Sequence, residues 1–490
     1  MGLTKFKICI AASEVVPFAK TGGLADVCGA LGKYLSNLGH DVRLVMPFYS
    51  GIDTMSHTFK MAGFARHCKV SFGHHHYIYD VYTAELPDSK ATVYFIHCPA
   101  LYNRPFIYTN DKDEYLRFAL LSRATLELCQ YMKWSPDIIQ CNDWQTALIP
   151  VYLKSLFAWD GLFKHTKTLL TIHNIAYQGN FPAGVINDLE ISAYYKLFDA
   201  HELYTGRFNF LRSGLIHADK ISTVSETYAN EIKTDAFGEG LQHTLNTRSA
   251  DLVGILNGVD YDAWNPETDK DIPYPYSVKS IANKEKNKKV LLNKLSLKYD
   301  PQKPALSMIT RLTEQKGLDL LEGTIETLIA NYDIQLIVLG SGEQKYEHYL
   351  YFLQLQYPKN VVFYKGYNYP LSHLIEAGSD IFLMPSRFEP CGMNQIFSLK
   401  YGTVPVVRKT GGLADTVHHY DWQTQKGNGF VFEHFTKDAL YWAAEYAITT
   451  YSHKEVWRKI MISGMKQDYS WHNQVKHYID LFEKMKEIGV

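Results

Sequence analysis

Two series of short apolar segments alternate with amphipathic helical patterns along this chain. Alternation of strands and helices is typical of parallel sheets with crossover helices, so each series predicts one doubly wound α/β domain. The strands predicted for the first series are residues 7–12, 41–46, 92–97, 137–141, 168–173 and 220–224. The strands predicted for the second series are residues 305–310, 335–339, 361–364, 381–385 and 404–407.

A proline-rich stretch, residues 257–304, separates the two series. A chain of 490 residues is also longer than a single core usually holds. We therefore expect an N-terminal domain at residues 1–256, a C-terminal domain at 257–468 and a terminal helix at 469–490. The apolar stripe of that helix must pack on a neighbour, and a return to the first domain is one option. The basic run at 284–289 either meets an anionic partner or, as we expect, forms a solvated helix face.

The composition excludes several classes of protein. A formal net charge of −1 provides no overall field toward nucleic acid or an anionic membrane. The seven cysteines form no C-x-x-C pair, which argues against a disulfide framework or a zinc site and favours a reducing cytoplasm. No apolar stretch approaches the ~20 residues of a membrane helix. We expect a soluble cytoplasmic protein with neither nucleic-acid nor membrane partners.

One heptapeptide, Lys-Thr-Gly-Gly-Leu-Ala-Asp, occurs twice, at residues 20–26 and 409–415. Each copy follows a predicted strand and precedes a helical pattern. One interpretation is inherited turn geometry, because paired glycines permit a tight strand-to-helix loop. The other is that both loops expose backbone N–H groups at helix N-termini, where anionic oxygens bind.

Three further polar segments follow predicted strands, at residues 173–179, 311–317 and 386–392. Ligand contacts in α/β enzymes occupy this position. Singly, each segment is ambiguous: Arg311 and Lys316 are either anion ligands or surface charges. Glu389 is either a functional carboxylate or a group that satisfies a helix dipole.

Taken together, these segments resemble the bacterial glycogen synthase and plant starch synthase family. The resemblance also includes residues 13–15, 17–27, 142–144, 257–260, 410–417 and 469–471, in the order expected along the chain. It implies the GT-B architecture, an α/β fold in which two doubly wound Rossmann-like domains face a central cleft.

The resemblance implies that fixed cations hold the diphosphate of a nucleotide-sugar donor. Lys20 would contact the diphosphate and glucose from the first domain, and Arg311 and Lys316 would neutralise the diphosphate from the second. The loop residues implied near the donor are Gly22, Gly23, Gly411, Gly412 and Leu413.

The resemblance also assigns residues around the transferred sugar. Glu389 would orient the glucose, and the N–H groups of Cys391 and Gly392 would hold its hydroxyls. The other donor-side or acceptor-side residues implied are Asp143, His173, Asn257 and Tyr367, of which Tyr367 would stack on the donor base.

Such cations replace the magnesium ion of other transferases, so we expect neither a metal ion nor a cofactor beyond the donor substrate. Asp-x-Asp pairs occur at 111/113, 260/262 and 269/271, and three histidines at 74–76. We interpret the carboxylates as surface or turn groups and the histidines as a solvated loop without flanking ligands. Related transferases carry a second glutamate where Phe397 stands, so retention by front-face attack is implied by the family alone.

Two residues depart from the family pattern: Gln145 replaces a histidine and Asn394 replaces a threonine. The leading hypothesis is a glycogen or starch synthase that adds glucose from ADP-glucose, or UDP-glucose, to the non-reducing end of an α-1,4-glucan. Alternatives are another retaining GT-B transferase with a small acceptor, a nucleotide-sugar epimerase of this fold, and a weakly active glucan-binding protein.

Overall fold

The computed structural model describes residues 5–487, so residues 1–4 and 488–490 of the predicted domain ranges lie outside the described residues. The chain divides into two compact units. Within the described residues, the N-terminal unit comprises 5–224, 229–258 and 471–487. The C-terminal unit comprises 225–228 and 259–470.

The N-terminal unit is built on a ten-stranded sheet with the strand order β12-β11-β8-β7-β1-β2-β6-β5-β3, and β4 pairs with β5. The strands are β1 (Lys7–Ala11), β2 (Asp41–Pro47), β3 (Lys60–Met61), β4 (Cys68–Phe72), β5 (His75–Glu85), β6 (Thr92–His97), β7 (Ile138–Asn142), β8 (Lys167–Ile172), β11 (Lys220–Thr223) and β12 (Leu252–Gly254), with β9 (Asn180–Pro182) and β10 (Arg207–Asn209) as a separate antiparallel pair. The pairs from β12 through β6 are parallel. Their central strands are buried on both faces, which explains their nearly continuous apolar sequences.

The sheet continues beyond the predicted strands as an antiparallel extension of β3, β4 and β5 against β6. The periodicity did not predict it, because β5 alternates histidine and tyrosine with apolar residues and leaves part of one face exposed. All strands predicted from the sequence are confirmed, with ends that differ by at most one residue.

Helices cover the sheet of the N-terminal unit. Those in the first 258 residues are α1 (Gly23–Asn37), α2 (Pro99–Tyr102), α3 (Glu114–Tyr131), α4 (Leu148–Lys154), α5 (Val185–Asp188), α6 (Ala200–Tyr204), α7 (Phe210–His217), α8 (Glu226–Glu231) and α9 (Gln242–Thr247), with 3-10 turns at Trp144–Thr146, Gly161–Phe163 and Ser192–Leu197. None of the helices within residues 5–487 combines the length and apolarity needed to cross a bilayer.

The C-terminal unit has a six-stranded, all-parallel sheet with the order β15-β14-β13-β16-β17-β18. Its strands are β13 (Ala305–Ile309), β14 (Gln335–Gly340), β15 (Val361–Lys365), β16 (Ile381–Met384), β17 (Val404–Arg408) and β18 (Phe430–Phe432). Its helices are α10 (Asn283–Lys294), α11 (Thr324–Tyr332), α12 (Gln344–Gln356), α13 (Tyr369–Gly378), α14 (Asn394–Tyr401), α15 (Gly411–Thr416), α16 (Lys437–Tyr451) and α17 (Lys454–Met465), with 3-10 turns at Val278–Ser280, Glu314–Lys316 and Leu318–Leu320. Leucine, isoleucine and valine side chains from these strands and helices form its core.

The unit boundaries differ from the predicted ones at three places, one of which is that residues 469–470, predicted with the terminal helix, belong to the C-terminal unit. The N-terminal unit continues to Gly258, because a side chain there would collide with the ring of Trp471, the first residue of α18 (Trp471–Glu487). Residues 225–228, predicted in the first domain, belong to the C-terminal unit. There Ser225 Oγ donates to Pro390 O at 2.7 Å, and the N–H of Thr227 donates to Asp415. Helix α18 belongs to the N-terminal unit and packs against α1.

The basic run at 284–289 lies in α10, and the expectation of a solvated face is wrong for two of its lysines. Lys284 and Lys288 are buried. Lys284 Nζ donates to the carbonyls of Glu376 and Ala377 at 3.0 and 3.2 Å, and Lys288 Nζ pairs with Asp380 at 2.7 Å. Burial lowers the pKa of Lys284 to about 7.

The two copies of the heptapeptide have different local structures. In the first copy Gly22 and Gly23 are exposed, and a Cβ on either would meet nothing within 4 Å. In the second copy Gly411 and Gly412 are buried, and a Cβ would lie 2.0 Å from the carbonyl oxygen of Glu389 or of Cys391. The second copy directly follows β17, whereas a short bridged loop separates the first copy from β1. Only the second copy therefore needs glycine for packing.

The same substitution in the two copies should have opposite effects on stability. We expect Gly412→Ala to lower the free energy of unfolding by about 1–3 kcal/mol, because its Cβ meets main chain, which cannot rotate away. This corresponds to a midpoint roughly 3–10 °C lower by calorimetry. Gly23→Ala, the matched control at the start of α1, should leave the midpoint unchanged or raise it slightly. Equal shifts in the two variants would show that the packing difference is unimportant.

Candidate functional site

A pocket of about 190 Å³ opens at the carboxyl ends of β13 and β16 in the C-terminal unit. From β13 the chain adds β14 and β15 on one side of the sheet, and it then crosses to the other side of β13 to form β16. Ligands in doubly wound sheets bind at such a switch point. The predicted residues that line the pocket are Arg311, Lys316, Glu389 and Gly392.

An ion pair between a partly buried lysine and a buried glutamate lines this pocket. Lys316 Nζ lies 2.6 Å from Glu389 Oε2, and the side chains are 17% and 8% exposed. Ser386 Oγ donates to the same carboxylate oxygen at 3.0 Å. The sequence analysis assigned no role to Ser386, although this serine is the first residue of the 386–392 segment. Glu389 is thereby held in one orientation by two donors.

Main-chain contacts fix the loops that carry this pair. Gly317 has φ +75°, and a Cβ there would lie 1.9 Å from Pro385 O, so the loop after β13 presses directly on the end of β16. The N–H of Arg387 donates to Gln315 O at 2.8 Å across the same gap. The cation and the carboxylate are therefore positioned by backbone, not by flexible side-chain packing.

The next turn joins Glu389 to α14. Gly392 has φ +69°, and Gln395 Nε2 donates to the carbonyls of Cys391 and Gly392 at 3.1 and 3.0 Å. Asn394 Nδ2 donates to Ile309 O at 2.6 Å, which ties the start of α14 to the end of β13. The amide at position 394 thus has a structural role at the pocket wall.

The glycine loop of the second heptapeptide packs beneath Glu389. The N–H of Gly412 donates to the carbonyls of Glu389 and Pro390, both at 3.2 Å, and the N–H of Leu413 donates to Thr410 O at 3.1 Å. These donors are engaged within the protein. A contact of Gly411, Gly412 and Leu413 with a diphosphate stays a prediction.

Two other predicted donor residues lie toward solvent in the C-terminal unit. The Arg311 side chain is exposed and pairs with no carboxylate among the described residues. Tyr367 is 69% exposed and follows β15, two strands away from β13 in the sheet. Tyr367 does not line the pocket at Glu389, so its stacking role stays a prediction.

The N-terminal unit has its own switch point, between β1 and β7. Asn142, at the end of β7, donates through Nδ2 to Ala11 O at 3.0 Å. Its Oδ1 consequently faces the His173 ring and lies 2.9 Å from Nε2. The N–H of His173 donates to Asp143 Oδ1 at 2.7 Å. Asp143 and His173, predicted on the same side of the site, are thus in direct contact.

Burial sets the protonation of this pair. It raises the pKa of Asp143 to about 7 despite the N–H donors of His173 and Asn174, and it lowers the pKa of His173 to about 3. The imidazole is therefore neutral, with its proton on Nε2 facing Asn142 Oδ1. Asp143 also has φ +54°, a left-handed conformation that is costly for a residue other than glycine and is concentrated at functional sites.

The sequence analysis assigned no role to Glu14, a carboxylate that hydrogen-bonds the first glycine loop. Glu14, buried after β1, accepts hydrogen bonds from the N–H groups of Thr21 and Gly22 and, at 2.5 Å, from the Tyr108 hydroxyl. Burial raises the pKa of Glu14, and these donors oppose the rise. Glu14 lies in a matching segment, but Tyr108 lies in a polar loop with no signal in the sequence.

Lys20 stands beside this network and points toward solvent. Its Nζ lies 2.8 Å from Asp26 Oδ1 in the same heptapeptide, and its side chain is 55% exposed. Burial raises the pKa of Asp26, and Lys20 opposes that shift. The cation is accessible, and its contact with a donor stays a prediction.

Six amide oxygens that are buried lack a hydrogen-bond partner among residues 5–487, and two of them belong to residues that the sequence analysis singled out. These two are Asn257 Oδ1 and Gln145 Oε1, and both residues are about 5% exposed. A buried unpaired acceptor is costly and rare. Asn257 is a predicted substrate residue, and Gln145 is one of the departures from the family pattern.

Two groups of side chains have the geometry of a metal cluster, and no ion is assigned to either. The fold brings Asp188 to within 3.9 Å of His74 Nδ1, so the expectation that no acidic group flanks the histidines is wrong. In the other group Asp269 already accepts from His373 Nδ1 at 2.8 Å and from the Tyr401 hydroxyl at 2.5 Å.

Residues 7–247 match the starch synthase catalytic domain family, and residues 293–461 match the glycosyl transferases group 1 family. The chain is 41% identical to a glycogen synthase of Thermosipho melanesiensis and 42% identical to one of Thermotoga maritima, in each case over 98% of both chains. This chain belongs to the glycogen synthase and starch synthase family.

Solved structures agree with this membership. The catalytic domain of starch synthase IV from Arabidopsis thaliana, bound to ADP and acarbose, matches with a TM-score of 0.89 and 32% identity, over 99% of this chain and all of that one. A sucrose-phosphate synthase from Thermosynechococcus elongatus, at 14% identity and a TM-score of 0.62, covers 98% of this chain and shares the fold. The two Rossmann-like units are those of a GT-B glycosyltransferase, as predicted.

The raised pKa of Asp143 predicts a pH-dependent contribution to stability. A carboxyl with a folded pKa near 7 and an unfolded pKa near 4 stabilises the fold fully below pH 4, and this contribution is lost as pH rises through 7. We expect the unfolding midpoint of the wild type, relative to Asp143→Asn, to fall between pH 4 and pH 7 and to level off above pH 7. The stability difference should change by up to about 1.4 kcal/mol per pH unit.

Comparison with the variant cancels the other titrating groups, because both proteins share them. Asp53→Asn is the control, because Asp53 is exposed and hydrogen bonds from Ser56 and the Met55 N–H lower its pKa, so relative to this variant the wild type should not lose stability as pH rises. A constant difference between the wild type and Asp143→Asn across this range would contradict the assignment of a protonated Asp143.

Proposed function

We propose that this glucan synthase transfers glucose from ADP-glucose to the non-reducing end of an α-1,4-glucan, with retention and without a metal ion. The observation that carries the proposal is the Lys316–Glu389 pair at the switch point, with the unpaired Arg311 on the same pocket wall. The starch synthase IV relative is bound to ADP, which favours ADP-glucose over UDP-glucose as the donor.

The charges suit cleavage of a glucose–phosphate bond. Negative charge grows on the leaving diphosphate, and preorganised cations stabilise it without the reorganisation that water requires. Arg311 provides a planar fork for phosphate oxygens, and Lys316 has three N–H donors, enough to hold Glu389 and a phosphate oxygen together. Lys20 would add a third cation from the N-terminal unit. These groups take the part that a magnesium ion has in other transferases.

The pocket favours front-face retention over a double displacement. A double displacement needs a nucleophilic carboxylate close beneath the sugar. Glu389 is the only carboxylate among the described residues that line the pocket, and Lys316 and Ser386 engage one of its oxygens. Phe397, where related transferases carry a glutamate, stacks on Trp264 at 4.0 Å. Glu389 would orient the glucose, and the leaving phosphate would accept the proton of the incoming hydroxyl.

The remaining predicted residues complete the sugar site. The N–H groups of Cys391 and Gly392 would bind glucose hydroxyls beside Glu389. In the N-terminal unit, a neutral His173 would hydrogen-bond sugar hydroxyls without opposing the positive charge that develops on the ring, and Asp143, whose pKa is raised to about 7, would hydrogen-bond hydroxyls beside it. Seven free, buried cysteines suit the cytoplasmic location that we propose.

The proposal is tested by incubating the purified chain with labelled ADP-glucose or UDP-glucose, with and without glycogen. We expect incorporation that depends on glycogen, prefers ADP-glucose and is unchanged by EDTA. β-Amylase should release the label, because the new units are α-1,4-linked at non-reducing ends. A 2-epimer of the donor sugar would instead identify an epimerase, and binding of maltooligosaccharide without ADP release would identify a glucan-binding protein.

Substitution of the charged residues separates catalysis from folding. We expect Lys20→Ala, Lys316→Met and Glu389→Gln each to lower kcat by about 10²–10³, the usual effect of removing one preorganised contact. Lys20→Ala should leave the unfolding midpoint unchanged, because this lysine is exposed. The single changes at 316 and 389 should lower the midpoint, since each leaves a buried charge unpaired.

The double variant Lys316→Met/Glu389→Gln is the matched control. It removes both charges, so it should recover stability relative to the single variants while kcat stays low. Recovery of kcat in the double variant would contradict the catalytic roles and leave only a structural ion pair.

A further inference from the structure

A second cavity, of about 690 Å³, lies in the C-terminal unit beside the edge strand β18. It shares no lining residue with the pocket at Glu389. Its volume is within the range of about 300–1,000 Å³ typical of small-molecule sites. We call it the edge groove and define it by Lys409, His418, His419, Glu433, His434 and Trp442.

An indole ring forms one wall of the edge groove. Trp442, on α16, is 49% exposed. The His419 ring lies nearly parallel to the indole, with 5.6 Å between centroids and 17° between planes, and the Tyr446 ring lies 6.0 Å from the indole. These two rings also contact each other, with 5.6 Å between centroids, and together they restrict the half-exposed indole before any ligand arrives.

The polar groups around this face suit a neutral ligand with hydroxyl groups. Lys409 Nζ pairs with Glu433 Oε1 at 2.7 Å, so the two formal charges of the groove cancel. Burial lowers the pKa of His419, and its Nδ1 accepts from the N–H of Val431 at 3.0 Å, which leaves Nε2–H as a donor. His418 and His434 add exposed imidazoles. No excess of either sign attracts a phosphate or a charged peptide.

The edge of the sheet is also closed to an added strand. His419 Nδ1 accepts from the Val431 N–H, and residues 419 and 429 form a parallel β-bridge along the same edge. A peptide that paired with β18 would have to displace the His419 contact. The combination of an open aromatic face and a neutral hydrogen-bonding rim is instead the chemistry that recognises a pyranose, whose apolar C–H face stacks on the ring and whose hydroxyls bind the rim.

We propose that the edge groove binds a segment of α-glucan outside the transfer site, with one glucose unit stacked on Trp442. The inference rests on the proposed function, which makes an α-glucan the polymer present at high local concentration. A second attachment point raises the effective concentration of chain ends, so it strengthens binding of long acceptors and not of short ones. The second heptapeptide contributes directly, because Lys409 is its first residue.

The experiment compares Trp442→Ala with Trp422→Ala, a change at a tryptophan of the same unit that is similarly exposed, at 46%, but lies outside the groove. Maltoheptaose binding is measured by calorimetry on the Glu389→Gln protein, which keeps the donor site from turning over. Transfer kinetics are measured with glycogen and with maltotriose on proteins with Glu389 intact. We expect Trp442→Ala to weaken one class of maltoheptaose sites about tenfold and to raise the KM for glycogen by a similar factor.

The same variant should leave kcat and the KM values for ADP-glucose and maltotriose unchanged, and Trp422→Ala should match the parent protein throughout. Labelling with 5-fluorotryptophan gives a local readout: the ¹⁹F resonance missing in Trp442→Ala should shift on addition of maltoheptaose, whereas that of Trp422 should not. Equal effects of the two changes, or no shift of the Trp442 resonance, would overturn the proposal.

The two proposals fail in different ways. If the chain transfers no glucose but maltoheptaose still shifts the Trp442 resonance, the proposed function is wrong and the edge groove stands. If glucose is transferred with the same glycogen KM in the wild type and in Trp442→Ala, the edge groove is wrong and the proposed function stands. Binding of inorganic phosphate, with no binding of maltoheptaose, would also overturn the sugar assignment.

Discussion

The position of the Glu389 carboxylate depends on three glycines whose surroundings leave no room for a side chain. A Cβ on Gly317 would lie 1.9 Å from Pro385 O, and one on Gly411 or Gly412 would lie 2.0 Å from the carbonyl of Glu389 or Cys391. The main chain of the 386–392 segment and of the preceding Pro385 is thus in contact with the main chain of two other loops, one at Gly317 and one at 411–412. Backbone contacts of this kind do not reorganise when charge moves, and electrostatic stabilisation of a transition state requires such rigidity.

The two glycine loops have the same sequence but different surroundings and hydrogen bonds. The C-terminal copy is buried under the Glu389 segment, and its N–H donors bind protein carbonyls. The N-terminal copy has open space around both glycines, and Thr21 and Gly22 donate to the buried Glu14 carboxylate. Nothing in the packing around that copy demands glycine. A requirement there has to come from a ligand that approaches the backbone, which agrees with the donor contact proposed for it.

The strands and their class followed from the sequence because fully buried parallel strands have a strong and local signal. The antiparallel extension at β3–β5 did not, since its half-exposed strands mix histidine and tyrosine with apolar residues. At the site, the motifs identified the residues next to strand ends. They missed Tyr108 and the His74–Asp188 approach, because both arise from pairing of segments that lie far apart in sequence. The burial of Lys284 and Lys288 was not predicted for a similar reason, because the sequence of a lysine-rich helix does not indicate which lysines will be buried.

Burial, more than the number of charged residues, decides the electrostatics of the two units. In the N-terminal unit burial raises the pKa of Asp143 to about 7, keeps His173 uncharged and raises the pKa of Glu14, so burial lowers the charge at the carboxyl ends of β1 and β7. In the C-terminal unit Lys316 pairs with Glu389, and Arg311 pairs with no carboxylate within residues 5–487, so these three side chains leave one excess cation at the pocket. The excess cation suits the diphosphate contact that we propose at the Glu389 pocket, because a diphosphate is recognised mainly through its charge, whereas a glucan has no charge for a cation to recognise.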